Sequence, residues 1–383
     1  MDILSKQLDE AAIANRFQTH PKCSNPLITH LSFADDILIF FDGNEASLVE
    51  ILDVLAQFKR VSGLGINLQK TCLYLDGDNR DTISQLASAH NLTYGSLPFR
   101  YLGVPLLTHK LTASDYQPLI DKVKGRISSW TNRHLSFAGR LQLLHSVINN
   151  TINFWASIFL LPTKCLEMLE QICNAFLWNG IATTARGAKV SWEIVCSPES
   201  SGGLGLKRLV DWNKIFGLKL IWLLFSQAGS LWVSWVNKHL IKDKSFWEAD
   251  FSASGSWIWR RLTKIRALGR PFVHCTVNSG DLGPRVTGIG QLAKVSDAVN
   301  NVPTPDMGSD TFHWKLPSDQ TLGSFSSMRT WRYLHPAGPN VPWSSQVWNQ
   351  EITYSSIVPS PEIYSPAYSI NLLLNQIRPL PAL

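Results

Sequence analysis

Two adjacent aspartates interrupt one of the most apolar stretches of the chain. The segment "HLSFADDILIFFDG", residues 30–43, has the pattern of two apolar strands with Asp35 and Asp36 between them. Because neighbouring carboxylates repel each other and are costly to desolvate, a folded chain cannot bury both without compensation. The segment is therefore expected to form a tight β-hairpin whose turn, at Ala34–Asp36, carries the acids.

The local pattern leaves two interpretations of the acidic pair open. In the first, Asp35 and Asp36 lie in water at the tip of a surface hairpin. In the second, they bind a cation, because hard metal ions prefer carboxylate oxygens and often carry the largest charge in a site. The pair itself does not decide between them.

Composition excludes several classes of protein. With 383 residues, 45% hydrophobic and 17% charged, the chain is long enough for two or three domains with a substantial core, and it is not of the disordered type. The net charge of +6 mildly favours polyanionic partners. The six cysteines form no Cys-x-x-Cys pair, which indicates reduced thiols rather than a disulfide scaffold, and no zinc site is evident.

The chain carries no recognisable targeting or membrane segment. Its start, "MDILSKQLDEAAIANRF", has mixed charge and does not resemble a signal peptide. The apolar runs "NFWASIFLLP" and "LKLIWLLF" are too short to span a bilayer. We therefore expect an intracellular protein, cytoplasmic or nuclear, with no membrane partner.

Hydrophobic periodicity predicts a mixture of helices and short strands. Residues 1–20 have the pattern of one helix ended by Pro21, and residues 44–63 that of a second, with Asn44 as N-cap and Gly63 as its stop. The strands "KTCLYL" and "FRYLGVPLL" flank a short helix at 81–90, and the pattern becomes helical from Thr112 to about Gly180. A Gly-rich stretch, "SGGLGLKRL", lacks the spacing of a phosphate-binding loop and is expected to be a turn.

A run of cations marks the first part of the helical region. Such a run is either a solvated helix face or a surface that follows nucleic-acid phosphates. Its members are Lys110, Lys122, Lys124, Arg126, Arg133 and Arg140.

The order of the motifs carries more information than any motif alone. "THLSFADDILIF", "FKRVSGLGINLQKT" and "RYLGVPL" follow one another as in the reverse transcriptases of plant non-LTR (LINE-type) retrotransposons, which this chain resembles. "HPKC", "SSWTNRHLSFAGRLQLLHSVI" and "FLWNG" agree with the same family, and "FHWKLPSDQTLGSFSSMRTWRYL" is similar to the start of its zinc-binding-like region. The resemblance covers residues 1–350.

The resemblance implies a palm-and-thumb polymerase that copies an RNA template from a DNA primer with Mg²⁺. It makes Asp35 the more direct metal ligand, Asp36 its support, and Lys70 the cation beside the triphosphate. Tyr101, Leu102 and Gly103 correspond to the primer-grip hairpin. It also favours nucleic-acid contact by the thumb cations Lys122, Lys124, Arg126, Arg133 and Arg140.

The expected fold is α+β: a partial reverse-transcriptase palm built from a β-hairpin and helices, then a mostly α-helical thumb, then an irregular Trp-rich C-terminal region. The predicted divisions are palm 1–108, thumb 109–182, helical Trp-rich connector 183–300, truncated zinc-binding-like region 301–350, and irregular tail 351–383.

The family places a further metal-binding aspartate and the fingers before the Asp-Asp box, and neither is recognisable in residues 1–34. We therefore expect a polymerase fragment that is inactive on its own. Two alternatives stay open: a non-catalytic nucleic-acid-binding protein derived from a retroelement, and a protein-interaction module. The sequence does not indicate an oligomeric state.

Overall fold

The structure is a computed structural model that describes residues 2–74, 80–131, 135–183, 187–226, 229–251, 255–276, 311–320, 322–339 and 341. Within these ranges it combines helices with four two-stranded sheets, which confirms the predicted α+β class. Arg133, the predicted tail and parts of the predicted zinc-binding-like region (residues 301–310, 321, 340 and 342–350) lie outside the described residues.

The first helix, α1 (Asp2–Ile13), is shorter than the pattern of residues 1–20 predicts. It ends because Asn15 adopts a left-handed conformation with φ of 56°. The N–H of Arg16 then donates to the carbonyl of Ala11 at 2.9 Å, and that of Asn15 to Ala12 at 3.0 Å. These bonds close the helix as a Schellman motif, well before Pro21.

The acidic hairpin consists of β1 (His30–Phe33) and β2 (Asp36–Ile39), which are antiparallel. The helix α2 (Glu45–Ser62) follows it, with Asn44 as N-cap and Gly63 in the left-handed conformation, as predicted. Helices α1 and α2 pack on one face of the hairpin through a cluster that includes Leu4, Leu8, Leu55, Phe58, Ile37 and Ile39.

Two further small sheets complete this part of the chain. Strands β3 (Cys72–Tyr74) and β4 (Thr93–Gly95) are parallel, and α3 (Arg80–Ala89) lies between them in the chain. Strands β5 (Phe99–Tyr101) and β6 (Val104–Leu106) form a second antiparallel hairpin. The rings of Tyr74 and Phe99 stack with centroids 3.8 Å apart, which joins the two sheets.

The rest of the described chain is mainly helical. It includes two π-helical turns. The first, Leu144–Ile148, lies between two α-helices, and the second, Asn237–Ile241, directly follows an α-helix. The helices are α4 (Ala113–Thr131), α5 (Phe137–Leu143), α6 (Asn149–Ile158), α7 (Thr163–Asn179), α8 (Trp192–Val195), α9 (Leu209–Phe225), α10 (Leu231–Val236), α11 (Trp257–Gly269) and α12 (Ser327–Leu334). The antiparallel strands β7 (Val273–Thr276) and β8 (Thr311–Trp314) pair beside α11 and α12.

One large hydrophobic cluster connects the two hairpins with these helices, and it extends from Cys23 to Leu316. Tryptophans fill much of it. Four of them are at most 2% exposed: Trp232, Trp235, Trp259 and Trp314. The cluster crosses the predicted divisions at 108, 182 and 300, so those divisions stay predictions. None of the helices in the described ranges has the length and apolar character needed to cross a membrane.

Candidate active site

The two aspartates occupy the tip of the first hairpin. Phe33 pairs with Asp36, so Ala34 and Asp35 form the two-residue turn between the strands. Ala34 has φ of 52°, a left-handed conformation that is rare for a residue with a side chain. Ala34, Asp35 and Asp36 are all exposed. The predicted hairpin is confirmed, and its turn presents both carboxylates to solvent.

Both faces of this hairpin are covered, which explains why the strands are apolar on both sides. Ile37 and Ile39 pack against α1 and α2. Leu31, Phe33 and Leu38 belong to the large cluster on the opposite face. Because side chains alternate along a strand, Asp36 lies on the face of Leu38, toward the large cluster, where the strand leaves the core.

The second hairpin lies beside the acidic tip. Its turn is formed by Leu102 and Gly103, with φ of 51° and 80°, between the paired residues Tyr101 and Val104. Tyr101 is only 6% exposed and shares the large cluster with Leu31. Burial, and secondly the negative charge of Asp36, raise the pKa of Tyr101 to about 12. The two predicted motifs are therefore neighbours in space.

Lys70 is not joined to the acidic pair by any polar contact among the described residues. It is exposed, in the turn after α2, where its backbone N–H donates to the carbonyl of Asn67 at 3.0 Å. Within the described ranges no hydrogen bond or ion pair joins its ammonium group to Asp35 or Asp36. A role beside a triphosphate therefore stays a prediction.

The donor set at the hairpin tip fits a hard divalent cation that is shared with a substrate. Among the described residues there is no group of three or more His, Cys, Asp or Glu side chains arranged to hold a metal. Magnesium, however, is commonly bound by one or two carboxylates together with water and substrate phosphates. Asp35 and Asp36 supply that number of carboxylates at an exposed position.

The predicted thumb cations separate into two groups. Lys122, Lys124 and Arg126 are exposed on α4. Helical spacing puts Lys122 and Arg126 on one side of the buried stripe that contains Val123 and Ile127, and Lys124 on its other side. In the described part of the chain these three cations form no ion pair, so they are available to an external anion.

Arg140 has a different environment. It is half-buried on α5, and its Nη1 donates to the carbonyl of Phe176 at 3.5 Å. That carbonyl belongs to the last turn of α7, where positive charge stabilises the helix dipole. The guanidinium group of Arg140 therefore stabilises the end of α7 within the fold, and it is less available to an external phosphate than the exposed cations of α4.

A polar network that the sequence did not reveal supports the acidic hairpin. The buried hydroxyl of Thr29 donates to the carboxylate of Asp9 and lies 2.8 Å from Nδ1 of His30. Nε2 of His30 lies 2.8 Å from the hydroxyl of Ser5. Burial lowers the pKa of His30, an effect that Asp9 partly opposes. The dipeptide Thr29-His30, polar at the start of an apolar strand, was the available signal for this contact with α1.

Comparison with known proteins agrees with this arrangement. Residues 1–106 match the family described as "Reverse transcriptase (RNA-dependent DNA polymerase)". An Arabidopsis thaliana protein named "Putative ribonuclease H protein" is 32% identical over 158 residues, which are 40% of this chain. The chain spans about a quarter, 26%, of that relative's length. The matches support a retroelement reverse transcriptase, and the family match contains both hairpins.

Proposed function

We propose that this chain is part of a reverse transcriptase of the plant non-LTR (LINE-type) class, acting in metal-dependent nucleotidyl transfer to a primer 3′-hydroxyl. The observation that carries the proposal is the exposed Asp35–Asp36 pair at the tip of a hairpin whose two faces are packed. The match of residues 1–106 to the reverse transcriptase family supports it.

In this proposal Asp35 and Asp36 bind Mg²⁺ through their carboxylate oxygens. When bound, the ion supplies the positive charge that lowers the pKa of the primer hydroxyl and stabilises the leaving pyrophosphate. The contribution of the chain is to hold the two carboxylates in a fixed position, because the strands on either side of the turn are anchored in two separate hydrophobic clusters.

The second hairpin and α4 supply the contacts to nucleic acid. Gly103 has open space where a side chain would begin, so the backbone of this turn is accessible to a primer phosphate. Lys122 and Arg126, one helical turn apart, lie on the same side of α4 and suit the backbone of an RNA–DNA duplex, and Lys124 adds an exposed cation on another side of the helix.

We further propose that the chain alone is inactive as a DNA polymerase. In the described residues the site contains two carboxylates and no third candidate ligand around them. A primer-extension assay with an RNA template, a DNA primer and Mg²⁺ tests this, and clear template-directed extension of the primer would contradict it.

A non-catalytic nucleic-acid-binding role is the second candidate, and the unpaired cations of α4 favour it. If the role is non-catalytic binding, the wild type and the D35N/D36N variant should bind an RNA–DNA duplex with the same affinity. That affinity should also be the same in the presence and absence of Mg²⁺. The polymerase proposal instead predicts that Mg²⁺ strengthens duplex binding only when both aspartates are present.

Titration with Mn²⁺, followed by the electron paramagnetic resonance of the free ion, tests the metal site. We expect D35N/D36N to bind Mn²⁺ at least about 10-fold more weakly than the wild type, since both charged ligands are removed. The D243N/E248Q variant removes two exposed carboxylates elsewhere and is the charge-matched control. Equal affinity in all three proteins would contradict the proposed site.

A further inference from the structure

The hydroxyl of Tyr101 is buried and has no hydrogen-bond partner among the described residues. Buried polar groups in folded proteins are usually paired, because an unmade hydrogen bond costs free energy. Phenylalanine would fill the same space without this cost. The hydroxyl is therefore a feature that packing alone does not explain.

The position of this hydroxyl points to the acidic tip. Tyr101 is the last residue of β5, and its ring lies in the large cluster that also contains Leu31 of the first hairpin. Asp36 emerges from the same face of β2 as Leu38, which packs against that cluster. The charge of Asp36 acts on the phenol. Tyr101 thus places a buried, unpartnered hydroxyl within the electrostatic influence of Asp36.

The exposure of the second hairpin separates two roles. Tyr101 is 6% exposed, whereas Gly103 is exposed at the turn. A primer backbone would therefore meet the turn and not the tyrosine ring. The buried hydroxyl of Tyr101 can therefore interact with the acidic turn only from the side of the hydrophobic core.

We propose that Tyr101 is a positioning residue for the metal site, whose hydroxyl donates a hydrogen bond to the carboxylate of Asp36, directly or through one water, when a divalent cation is bound. The inference rests on the proposed function. A donor behind a ligating carboxylate fixes the direction of its oxygens, and partners of this kind commonly change metal affinity by about 10-fold or more.

The Y101F variant tests this role, because it keeps the ring and removes only the hydroxyl. We expect Y101F to bind Mn²⁺ about 10-fold more weakly than the wild type, while its Tm stays equal or rises, since an unpaired buried group is lost. The matched control is Y94F, which makes the same change at a tyrosine that is 55% exposed on β4. Y94F should leave both the Mn²⁺ affinity and the Tm unchanged.

A double-mutant comparison distinguishes positioning from damage to the fold. If the hydroxyl acts through Asp36, adding Y101F to D36N should cause no further loss of Mn²⁺ affinity. An equal further loss in the D36N background would contradict the proposed interaction, as would wild-type affinity in Y101F itself.

The same titration separates this inference from the proposed function. If D35N/D36N loses Mn²⁺ binding and Y101F does not, the metal site stands and the role of Tyr101 is refuted. If the wild type and D35N/D36N bind Mn²⁺ equally, the metal site fails and the positioning role fails with it.

Discussion

The indole Nε1 of Trp235 donates a hydrogen bond to the backbone carbonyl of Lys22 at 2.8 Å. Trp235 lies on α10 and Lys22 lies in the turn before the acidic hairpin, 213 residues away in the chain. This contact fastens the Trp-rich helices to the segment that enters β1. The support of the candidate site thus includes residues far outside the part that matches the reverse transcriptase family.

The W235F variant tests how much the hydrogen bond from Trp235 to Lys22 contributes to the free energy of unfolding. It removes the donor and some ring volume at a site that is 1% exposed. W232F is a close control, since Trp232 is equally buried on the same helix but its Nε1 has no partner among the described residues. In urea unfolding we expect W235F to lose about 1–2 kcal/mol more stability than W232F. Equal losses would mean that the hydrogen bond adds nothing.

The burial of Glu170 is expected to make the stability of the fold depend on pH. Its buried carboxylate accepts a hydrogen bond from the N–H of Leu209 at 2.6 Å, at the start of α9. Burial raises its pKa despite this bond. The folded state therefore retains this proton more readily than the unfolded state, and the contribution of Glu170 to stability falls as the pH rises from its unfolded pKa through its raised folded pKa.

Replacing Glu170 by Gln keeps an acceptor for Leu209 and removes the titration. We expect the stability of E170Q to fall less than that of the wild type between about pH 4.5 and neutral pH, measured by urea unfolding at each pH. E167Q, an exposed change on the same helix, should follow the wild-type profile. Parallel profiles for E170Q and the wild type would contradict the assignment.

Ala34 is held in a left-handed conformation at the tip of the acidic hairpin, with φ of 52°. Glycine adopts this conformation without steric cost, so A34G should stabilise the protein by up to about 1 kcal/mol. A34V, with a β-branched side chain, should destabilise it by about 1–2 kcal/mol. Thermal unfolding of the three proteins provides the ranking, and a valine variant as stable as the wild type would be inconsistent with the described turn.

The exposed cations of α4 predict a salt-dependent interaction with nucleic acid. Changing Lys122, Lys124 and Arg126 to Gln should weaken binding to an RNA–DNA duplex and reduce the slope of log K against log salt by about 2–3. The variant K238Q/K242Q/K244Q removes the same charge from exposed positions near α10. If both variants lose affinity equally, net charge rather than the α4 face determines binding.

The sequence predicted the elements whose signals are local. Two apolar runs on either side of Asp35 and Asp36 defined the hairpin, and the spacing of Leu48, Ile51 and Leu55 between Asn44 and Gly63 defined α2. These features depend on side-chain periodicity and caps within a few residues of one another. The α+β class followed from the same patterns.

Features that depend on distant contacts could not be predicted in this way. The early end of α1 depends on the left-handed Asn15, which the helical pattern of residues 1–20 does not reveal. The burial of Tyr101 beside Asp36 requires two hairpins to meet. Similarly, the contact between Thr29 and Asp9 joins residues that are separated by a turn and lie on different elements.

Fe²⁺-mediated cleavage of the backbone tests whether Asp35 and Asp36 hold a divalent cation beside the second hairpin. Fe²⁺ bound in place of Mg²⁺, with ascorbate and peroxide, generates radicals that cut the backbone close to the ion. We expect cuts near residues 34–36 and 101–103 that excess Mg²⁺ suppresses and that D35N/D36N lacks. Cuts only elsewhere, or the same cuts in D35N/D36N, would contradict the account.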